Sequence, residues 1–332
     1  MPLELVCPAG SYPALEAAVS SGADAVYIGF RDDTNARNFP GLNFDQRDLE
    51  RGLALARERG VRVFLALNTF AQAGREHAWR AAVDRAADLG VDTLIAADLA
   101  VLDHASRHHP RLPLHLSVQA SATTADALRF YRDAFGVRRA VLPRVLSARQ
   151  VEALAADSPV ELEVFGFGSL CIMAEGRCLL SSWATGESPN TGGVCSPAGH
   201  VRWSERGGWR EARLGGVLID RHAPGEAAGY PTLCKGRFRV GDAVDHAIEE
   251  PTSLNTISLL PRLAAAGIRA VKIEGRQRGP AYVARVTAIW RRAIDALAEP
   301  GGPVDPAIAE RALGPLSEGS QTTLGAWDRG WQ

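Results

Sequence analysis

The chain has 332 residues, 46% of them hydrophobic, and carries 37 basic and 38 acidic side chains. A protein that holds a nucleic-acid backbone usually has a basic excess, so this near balance argues against a nucleic-acid partner. The first residues lack a basic stretch followed by an apolar one, and no apolar run approaches the roughly 20 residues needed to cross a bilayer. We therefore expect a cytoplasmic protein without a transmembrane segment. In that compartment, cysteines indicate metal binding or catalysis rather than disulfides.

Short apolar runs that follow a glycine predict the strands. The pattern recurs after Gly22, Gly60, Gly90, Gly136 and Gly267, and several of these glycines end an alanine-rich amphipathic stretch. A helix that ends at a glycine and leads into a buried strand is typical of repeated βα units. The eight strands predicted in chain order are residues 5–7, 25–30, 61–68, 93–98, 114–121, 140–144, 161–167 and 270–275.

Eight strands that alternate with helices predict a TIM-like (β/α)8 barrel. A doubly wound open sheet is disfavoured because no Gly-x-Gly-x-x-Gly follows the first strand. About 100 residues separate the seventh and eighth strands, which predicts a cysteine-bearing insertion there. The predicted divisions are 1–168 for the first seven strands, 169–250 for the insertion, 251–298 for the rest of the barrel and 299–332 for a tail that packs on it.

Four of the five cysteines lie in this insertion, in the pattern Cys171-x6-Cys178-x16-Cys195-x38-Cys234. Four thiolates can hold a structural zinc or an iron–sulfur cluster. Zinc ribbons pair their cysteines two to four residues apart, whereas wide separations suit a cluster whose ligands converge from different loops. The spacing therefore favours a cluster over zinc, and the confinement of all four cysteines to one insertion disfavours four unrelated buried cysteines. Cys7, on the first strand, is expected to be an ordinary core residue.

Two segments around the first of these cysteines are distinctive: EVFGFGSLC at 163–171 and EGRCLLS at 175–181. They resemble the signature of the peptidase U32 family. Further segments resemble the branch of that family that serves anaerobic ubiquinone biosynthesis. These are residues 32–37, 68–70, 117–123, 141–146, 185–191, 230–237 and 271–276.

The resemblance implies a 4Fe–4S cluster on the four insertion cysteines and a heterodimer with a paralogue of the UbiV type. It also implies a role in oxygen-independent hydroxylation of the ubiquinone ring, with prephenate as the oxygen donor. On this reading the chain is a subunit of a hydroxylase, although catalysis could reside in either chain.

The family name also implies proteolysis, which needs an activated nucleophile or a metal-bound water. Neither His-Glu-x-x-His nor Gly-x-Ser-x-Gly occurs in the sequence. The eight histidines give no convincing ligand pair, because His108 and His109 precede Pro110 in an expected loop. A peptidase-type hydrolase and a zinc-stabilised binding module without catalysis are the alternatives.

Polar residues near the predicted strand ends indicate a second site. In a barrel of this kind the carboxyl ends of the strands form the active-site mouth. Guanidinium groups bind carboxylates bidentately, so several arginines around one cavity suit an anionic small molecule. The predicted binding residues are Arg37, Asn68, Gln119, Arg144 and Arg276, with Lys272 and Glu274 as candidate catalytic groups. The alternative is internal salt bridging, such as Lys272 with Glu274 or Arg276 with Asp98.

Overall fold

A computed structural model describes residues 3–38, 41–173, 177–189, 194–226, 228–298 and 305–328. The strands are β1 Glu4–Pro8, β2 Ala25–Ile28, β3 Arg62–Leu67, β4 Thr93–Ala96, β5 Leu114–Leu116, β6 Val137–Val141, β7 Glu161–Ser169, β8 Val201–Arg206, β9 Trp209–Leu214, β10 Val217–His222, β11 Phe238–Val240, β12 Ala243–Asp245, β13 Ser253–Asn255, β14 Ala270–Ile273 and β15 Thr322–Thr323. The α-helices are α1 Tyr12–Ser20, α2 Gln46–Glu58, α3 Glu76–Asp88, α4 Leu99–His108, α5 Ala125–Phe135, α6 Ala148–Asp157, α7 Leu179–Thr185, α8 Leu260–Ala265, α9 Pro280–Asp295 and α10 Pro306–Leu313.

Strands β1 to β7 and β14 form a closed parallel barrel with helices between the strands, which confirms the predicted TIM-like fold. Neighbours in the chain pair in order, and the ring closes where β14 pairs with both β1 and β7. Gly136 ends α5 in the left-handed conformation, at φ 72°, and β6 follows at once. The helix–glycine–strand pattern therefore marks a real boundary there.

Two predicted strands differ most from those observed. The fifth was predicted to reach Ser121, but the chain leaves the strand after Leu116. The Ser117 side chain then accepts a hydrogen bond from the Gln119 N–H and caps a turn of 3-10 helix. The sixth was predicted to span 140–144, but β6 spans Val137–Val141. Because Pro143 has no N–H to give to a strand ladder, Arg144 lies in the loop beyond it.

Alternation along each strand separates two apolar layers. Leu5, Val63 and Leu65 point outward and join the large core between barrel and helices. A smaller cluster fills the barrel itself and includes Tyr27 and Phe64. The functional groups described below therefore lie within or above a packed interior, as is usual for this fold.

Charged side chains fill the amino-terminal end of the barrel interior. Glu4 pairs with Arg62 at 2.7 Å, with Arg139 at 2.8 Å and also with Arg269. Arg139, only 2% exposed, also contacts Glu161 at 2.6 Å. Because a buried charge is costly unless it is paired, this network compensates its own charges rather than offering them to a ligand.

The insertion follows β7 and is attached to the barrel by the last part of the chain. Strands β8 to β10 form an antiparallel sheet, and β11 and β12 form a hairpin. Strand β13 pairs antiparallel with the carboxyl end of β7, and β15 pairs with β13. Trp327 is 8% exposed and belongs to the main core, whereas Trp331 lies outside the described residues. Within the described ranges, no helix combines the length and apolar character needed to cross a membrane.

Candidate functional site

The four insertion cysteines come from four different loops. Cys171 lies two residues beyond β7, Cys178 is the N-cap of α7, Cys195 precedes β8, and Cys234 lies in a turn of 3-10 helix at Leu233–Lys235. All four are partly buried, and none forms a disulfide. The wide spacing in the sequence therefore corresponds to ligands on separate loops.

Ser181 joins two of these loops. Its backbone N–H donates to the Cys178 sulfur at 3.4 Å, and its hydroxyl donates to the Cys195 carbonyl at 2.6 Å. An N–H that points at sulfur stabilises the thiolate, which is the form that binds metals. Ser181 is 2% exposed, so these contacts are sheltered from water.

The effects of the cysteines on one another's pKa indicate that the four side chains lie near one another. Burial raises the pKa of Cys234 to about 12; Lys235 opposes this rise, and the charges of the other three cysteines add to it. Burial likewise raises the pKa of Cys195. The charge of Arg37 lowers this pKa, and the charges of Cys178 and Glu274 raise it. Because Arg37 and Glu274 belong to the predicted barrel-mouth set, the cysteine group and the mouth are neighbours.

The four sulfur atoms, as the structure places them, are not gathered as closely as a single tetrahedral ion would hold them. A zinc ion with Zn–S bonds of about 2.3 Å would hold all four sulfurs roughly 3.8 Å from one another. In the described part of the chain, no three of the four sulfurs lie within 4.8 Å of one another. A larger group, with a separate corner for each thiolate, fits this spacing better.

Lys235 holds the Cys234 loop against the tail. Its ammonium group, on a side chain 4% exposed, pairs with Glu318 and donates to the Thr252 carbonyl at 3.4 Å. The Glu318 N–H donates in turn to the Ser253 hydroxyl at 2.9 Å. Lys235, one of only two lysines in the chain, thus has a structural partner directly beside a cysteine.

Tyr27 belongs to the cluster inside the barrel, and its hydroxyl reaches the end of β14. Its hydroxyl donates to the Ile273 carbonyl at 2.9 Å. Burial raises the pKa of Tyr27 strongly, while Arg276, Arg144 and Arg37 lower it. The charges of the three predicted arginines therefore all act on one buried ring, and the Arg276 guanidinium lies 5.6 Å from its centre.

Arg276 is buried and, within the described ranges, has no carboxylate in direct contact, although the charge of Glu274 acts on it from further away. The residue is 7% exposed, and one guanidinium nitrogen donates to Asn35 Oδ1 at 2.7 Å. Among the described residues, no carboxylate oxygen lies within 4 Å of its guanidinium nitrogens. Burial lowers the pKa of Arg276 to about 10. The bridge to Asp98 considered from the sequence does not form, because Asp98 instead caps α4 and accepts from the Ala71 N–H.

Lys272 and Glu274 point into the same region but have protein partners. The Lys272 ammonium contacts Glu163 at 2.8 Å and lies 4.0 Å from the centre of the Tyr27 ring. Burial lowers the pKa of Lys272, although Glu163 opposes the change. Glu274 accepts a hydrogen bond from the Ser169 N–H at 2.7 Å. Lys272 is thus paired with Glu163 rather than with Glu274.

The other predicted binding residues lie around this centre. The Arg144 guanidinium stacks 3.5 Å from the centre of the Phe165 ring. Asn68 accepts a hydrogen bond from the Ala36 N–H at 3.1 Å, which holds the loop that carries Arg37. Gln119 is 7% exposed, and its buried Oε1 has no hydrogen-bond partner within the ranges that the structure describes. That oxygen is an acceptor available to a ligand or to water.

A cluster of two histidines and an aspartate was missed in the sequence. His104 and His109 both place Nε2 on Asp84 Oδ1, at 2.8 and 2.7 Å. The expectation that no convincing histidine pair exists was therefore wrong. Helix α4 extends to His108, and the non-helical cap conformation of His109 turns its ring back toward α3. Spacing alone does not predict this, because residues five apart do not share a helix face.

Comparison with known proteins places the chain in a family. The model of Peptidase family U32 matches residues 10–321, so the chain belongs to that family. It is 31% identical to a Porphyromonas gingivalis protein named collagenase, over 98% of this chain and 72% of that protein. It is 29% identical to Escherichia coli tRNA hydroxylation protein P, over 94% of this chain and 72% of the relative.

Two further similarities are less complete: one covers a smaller part of the relative, and the other covers a smaller part of this chain. The E. coli 23S rRNA 5-hydroxycytidine C2501 synthase is 29% identical over 90% of this chain, which spans 40% of that protein. A solved U32 peptidase matches 51% of this chain and 70% of its own length, at 19% identity and a TM-score of 0.44.

The contrast between Lys272 and Arg276 gives a first prediction. Lys272→Met leaves Glu163 without its closest cation, so it should lower the free energy of unfolding by about 3–5 kcal/mol. Arg276→Met removes a buried cation that has no acidic partner among the described residues, so it should leave stability unchanged or higher. Urea unfolding of both variants at pH 7 measures the difference. Equal destabilisation would show that Arg276 is an internal brace.

Proposed function

We propose that this chain is the iron–sulfur subunit of an oxygen-independent hydroxylase, with one 4Fe–4S cluster on Cys171, Cys178, Cys195 and Cys234. The observation that carries the proposal is the convergence of four thiols beside a barrel mouth that contains a buried arginine. The four separate loops that carry the cysteines, and the N–H donated to Cys178, suit a multi-atom anionic group. A cluster bound there would supply electron transfer next to the mouth.

The barrel mouth is proposed to bind an anionic co-substrate. Arg276 is the central group, because desolvation makes its charge costly unless a ligand carboxylate compensates it. Arg37 and Arg144 complete the cationic side, and Asn68 and Gln119 offer polar contacts. A dicarboxylate such as prephenate has the matching charge.

Glu274 and Lys272 have different roles in this proposal. Glu274 is partly exposed and close to Cys195, so it can accept or return a proton at the ligand. Lys272 is held in place by Glu163 and Tyr27. It therefore contributes a fixed positive charge below the ligand and does not carry protons. Conversion of an aromatic C–H to C–OH withdraws two electrons from carbon, so the donor that gives up the oxygen must be reduced by two electrons.

The proposed substrate is the ubiquinone ring. This choice rests on the segments that resemble the ubiquinone branch of the family, and on a charge balance that does not suit a nucleic-acid backbone. RNA is the second candidate, favoured by the similarity to tRNA and rRNA hydroxylation proteins. A small aromatic ring can approach a mouth of this kind without an extended basic surface.

Proteolysis has little support in the described structure. Cys7 is fully buried, so its thiol cannot reach a peptide substrate. Its sulfur accepts a hydrogen bond from the Thr287 hydroxyl at 3.2 Å. Burial raises the pKa of Cys7 to about 12, so the reactive thiolate is disfavoured. A collagenase-like activity would therefore need a site other than this cysteine.

The second prediction concerns the cluster. Anaerobically purified protein should be brown and contain about four irons and four sulfides per chain. Replacement of any of the four insertion cysteines by Ala should remove most of the iron, whereas Cys7→Ala is the matched control and should retain it. Iron and sulfide analysis with a visible spectrum provides the test. Stoichiometric zinc without iron would instead support the binding-module alternative.

The third prediction concerns the reaction. Cells that lack the chain are grown without oxygen and supplied with wild-type, Arg276→Met, Arg144→Ala or Arg144→Lys protein. Loss of one charge-assisted contact costs about 1.5–3 kcal/mol, so binding of the anion should weaken roughly tenfold or more. Arg144→Lys should be nearly as defective as Arg144→Ala because lysine cannot form the bidentate fork.

Mass spectrometry of ubiquinone and of hydroxylated RNA nucleosides from the same cultures distinguishes the two substrates. The surface variant Arg129→Ala is the control, since Arg129 makes solvent-exposed ion pairs on α5. Normal iron content with lost ubiquinone supports the proposal. Normal ubiquinone with lost nucleoside hydroxylation would show that RNA is the substrate. Full activity of all variants would contradict the proposed anion site.

The fourth prediction concerns the partner, a U32 paralogue of the UbiV type. Leu179 and Trp183 lie one turn apart on α7, beside Cys178, and are 77% and 76% exposed. Exposed apolar residues of this size often mark an interface. Co-expression with the paralogue should give a heterodimer on size exclusion, and Trp183→Ser should weaken it. Phe130→Ser, a change at a residue 54% exposed on α5, is the control. Separate elution of two wild-type monomers would contradict the pairing.

A further inference from the structure

The cluster of Asp84, His104 and His109 has the composition of a metal site. Two imidazole nitrogens and one carboxylate oxygen form the ligand set used by many zinc and other divalent transition-metal centres. All three ligand atoms lie within 4.8 Å of one another, with both histidine Nε2 atoms directed at the same oxygen. We propose that these three residues bind a divalent cation of the zinc class, at a site separate from the four cysteines.

Only a small rearrangement is needed for binding. Ligands at about 2.0–2.1 Å around a tetrahedral ion lie roughly 3.3 Å apart, compared with the present 2.7 and 2.8 Å between nitrogen and oxygen. Each imidazole would carry its proton on Nδ1 and present the Nε2 lone pair to the ion. The Asp84 side chain is 48% exposed, so its carboxylate is free to rotate by the required amount.

The surroundings leave room for a further ligand. A cleft of about 470 Å³ lies beside the trio, lined among others by His109, Asp88 and Arg111. Water or a small anion in this cleft can complete the coordination. The histidine side chains are 15% and 23% exposed, so their rings are held in place while their nitrogens stay accessible.

The position of the site indicates its role. Asp84 lies on α3, His104 lies on α4 and His109 directly follows α4, on the way to β5. Helices of this fold run back toward the amino-terminal ends of the strands, so the trio lies away from the barrel mouth. A bound ion would cross-link two neighbouring helices and stabilise the barrel wall rather than enter the proposed reaction.

The fifth prediction tests this site by titration of the anaerobically purified full chain with Zn²⁺. Calorimetry should show one more Zn²⁺ bound, or at least tenfold tighter binding, in the wild type than in His104→Ala/His109→Ala. Saturating Zn²⁺ should raise the melting temperature of the wild type by about 2 °C or more and leave that of the variant unchanged. Iron content is measured in parallel to show that the cysteines of both proteins are equally occupied. Any zinc that binds at the cysteines then contributes equally to both titrations.

Two further variants keep the test decisive. Asp84→Asn retains an oxygen that accepts from both imidazoles but loses the charge, so it should fold normally and still lose the zinc effect. His108→Ala removes a ring that lies 4.5 Å from that of His104 but contributes no ligand atom, and it should bind Zn²⁺ like the wild type. Identical zinc binding and melting shifts in all four proteins would overturn the proposal and leave the trio as a hydrogen-bonded brace.

Discussion

Compensation of buried charge is the constraint on which the barrel interior depends. At the amino-terminal end, Arg139 and Glu4 belong to a network in which every cation has carboxylate neighbours. One layer higher, Lys272 takes Glu163 as its partner. At the mouth the pattern changes, because the described contacts of Arg276 are an amide and an aromatic ring, and the charge of Glu274 acts on it only from further away. Charges at the amino-terminal end of the barrel are thus paired with one another, whereas the mouth carries positive charge that suits an anion.

The architecture of the insertion follows from a need to bring four loops to one place. The four cysteines do not share one short motif, so their loops are fixed by contacts between separate elements. Ser181 links the Cys178 and Cys195 loops, and the pair of Lys235 with Glu318 ties the Cys234 loop to the tail. The extra strands β13 and β15 extend the carboxyl end of β7 and give this assembly a rigid base.

The sequence predicted the order of strands and the barrel because both depend on local patterns of apolar residues and glycines. It did not predict where strands end, since a capping hydroxyl at Ser117 and a proline at 143 decide that locally. It also placed Lys272 on the correct face but could not name its partner, because Glu163 lies 109 residues away. The His109 ring was missed for a related reason: its direction depends on one cap conformation rather than on periodicity.

The brace between Lys235 and Glu318 has a consequence for the order of folding. Its two residues are 83 positions apart, Ser169 and Glu274 are 105 apart, and Arg276 and Asn35 are 241 apart. Contacts of such separation form late, because the chain must first lose the entropy of closing long loops. Because Glu318 follows Lys235 by 83 positions, the Cys234 loop can acquire its final geometry only after that whole stretch has been synthesised. A cofactor delivered to a nascent or half-folded chain would find its ligands dispersed, so maturation is expected to be a late, post-translational step.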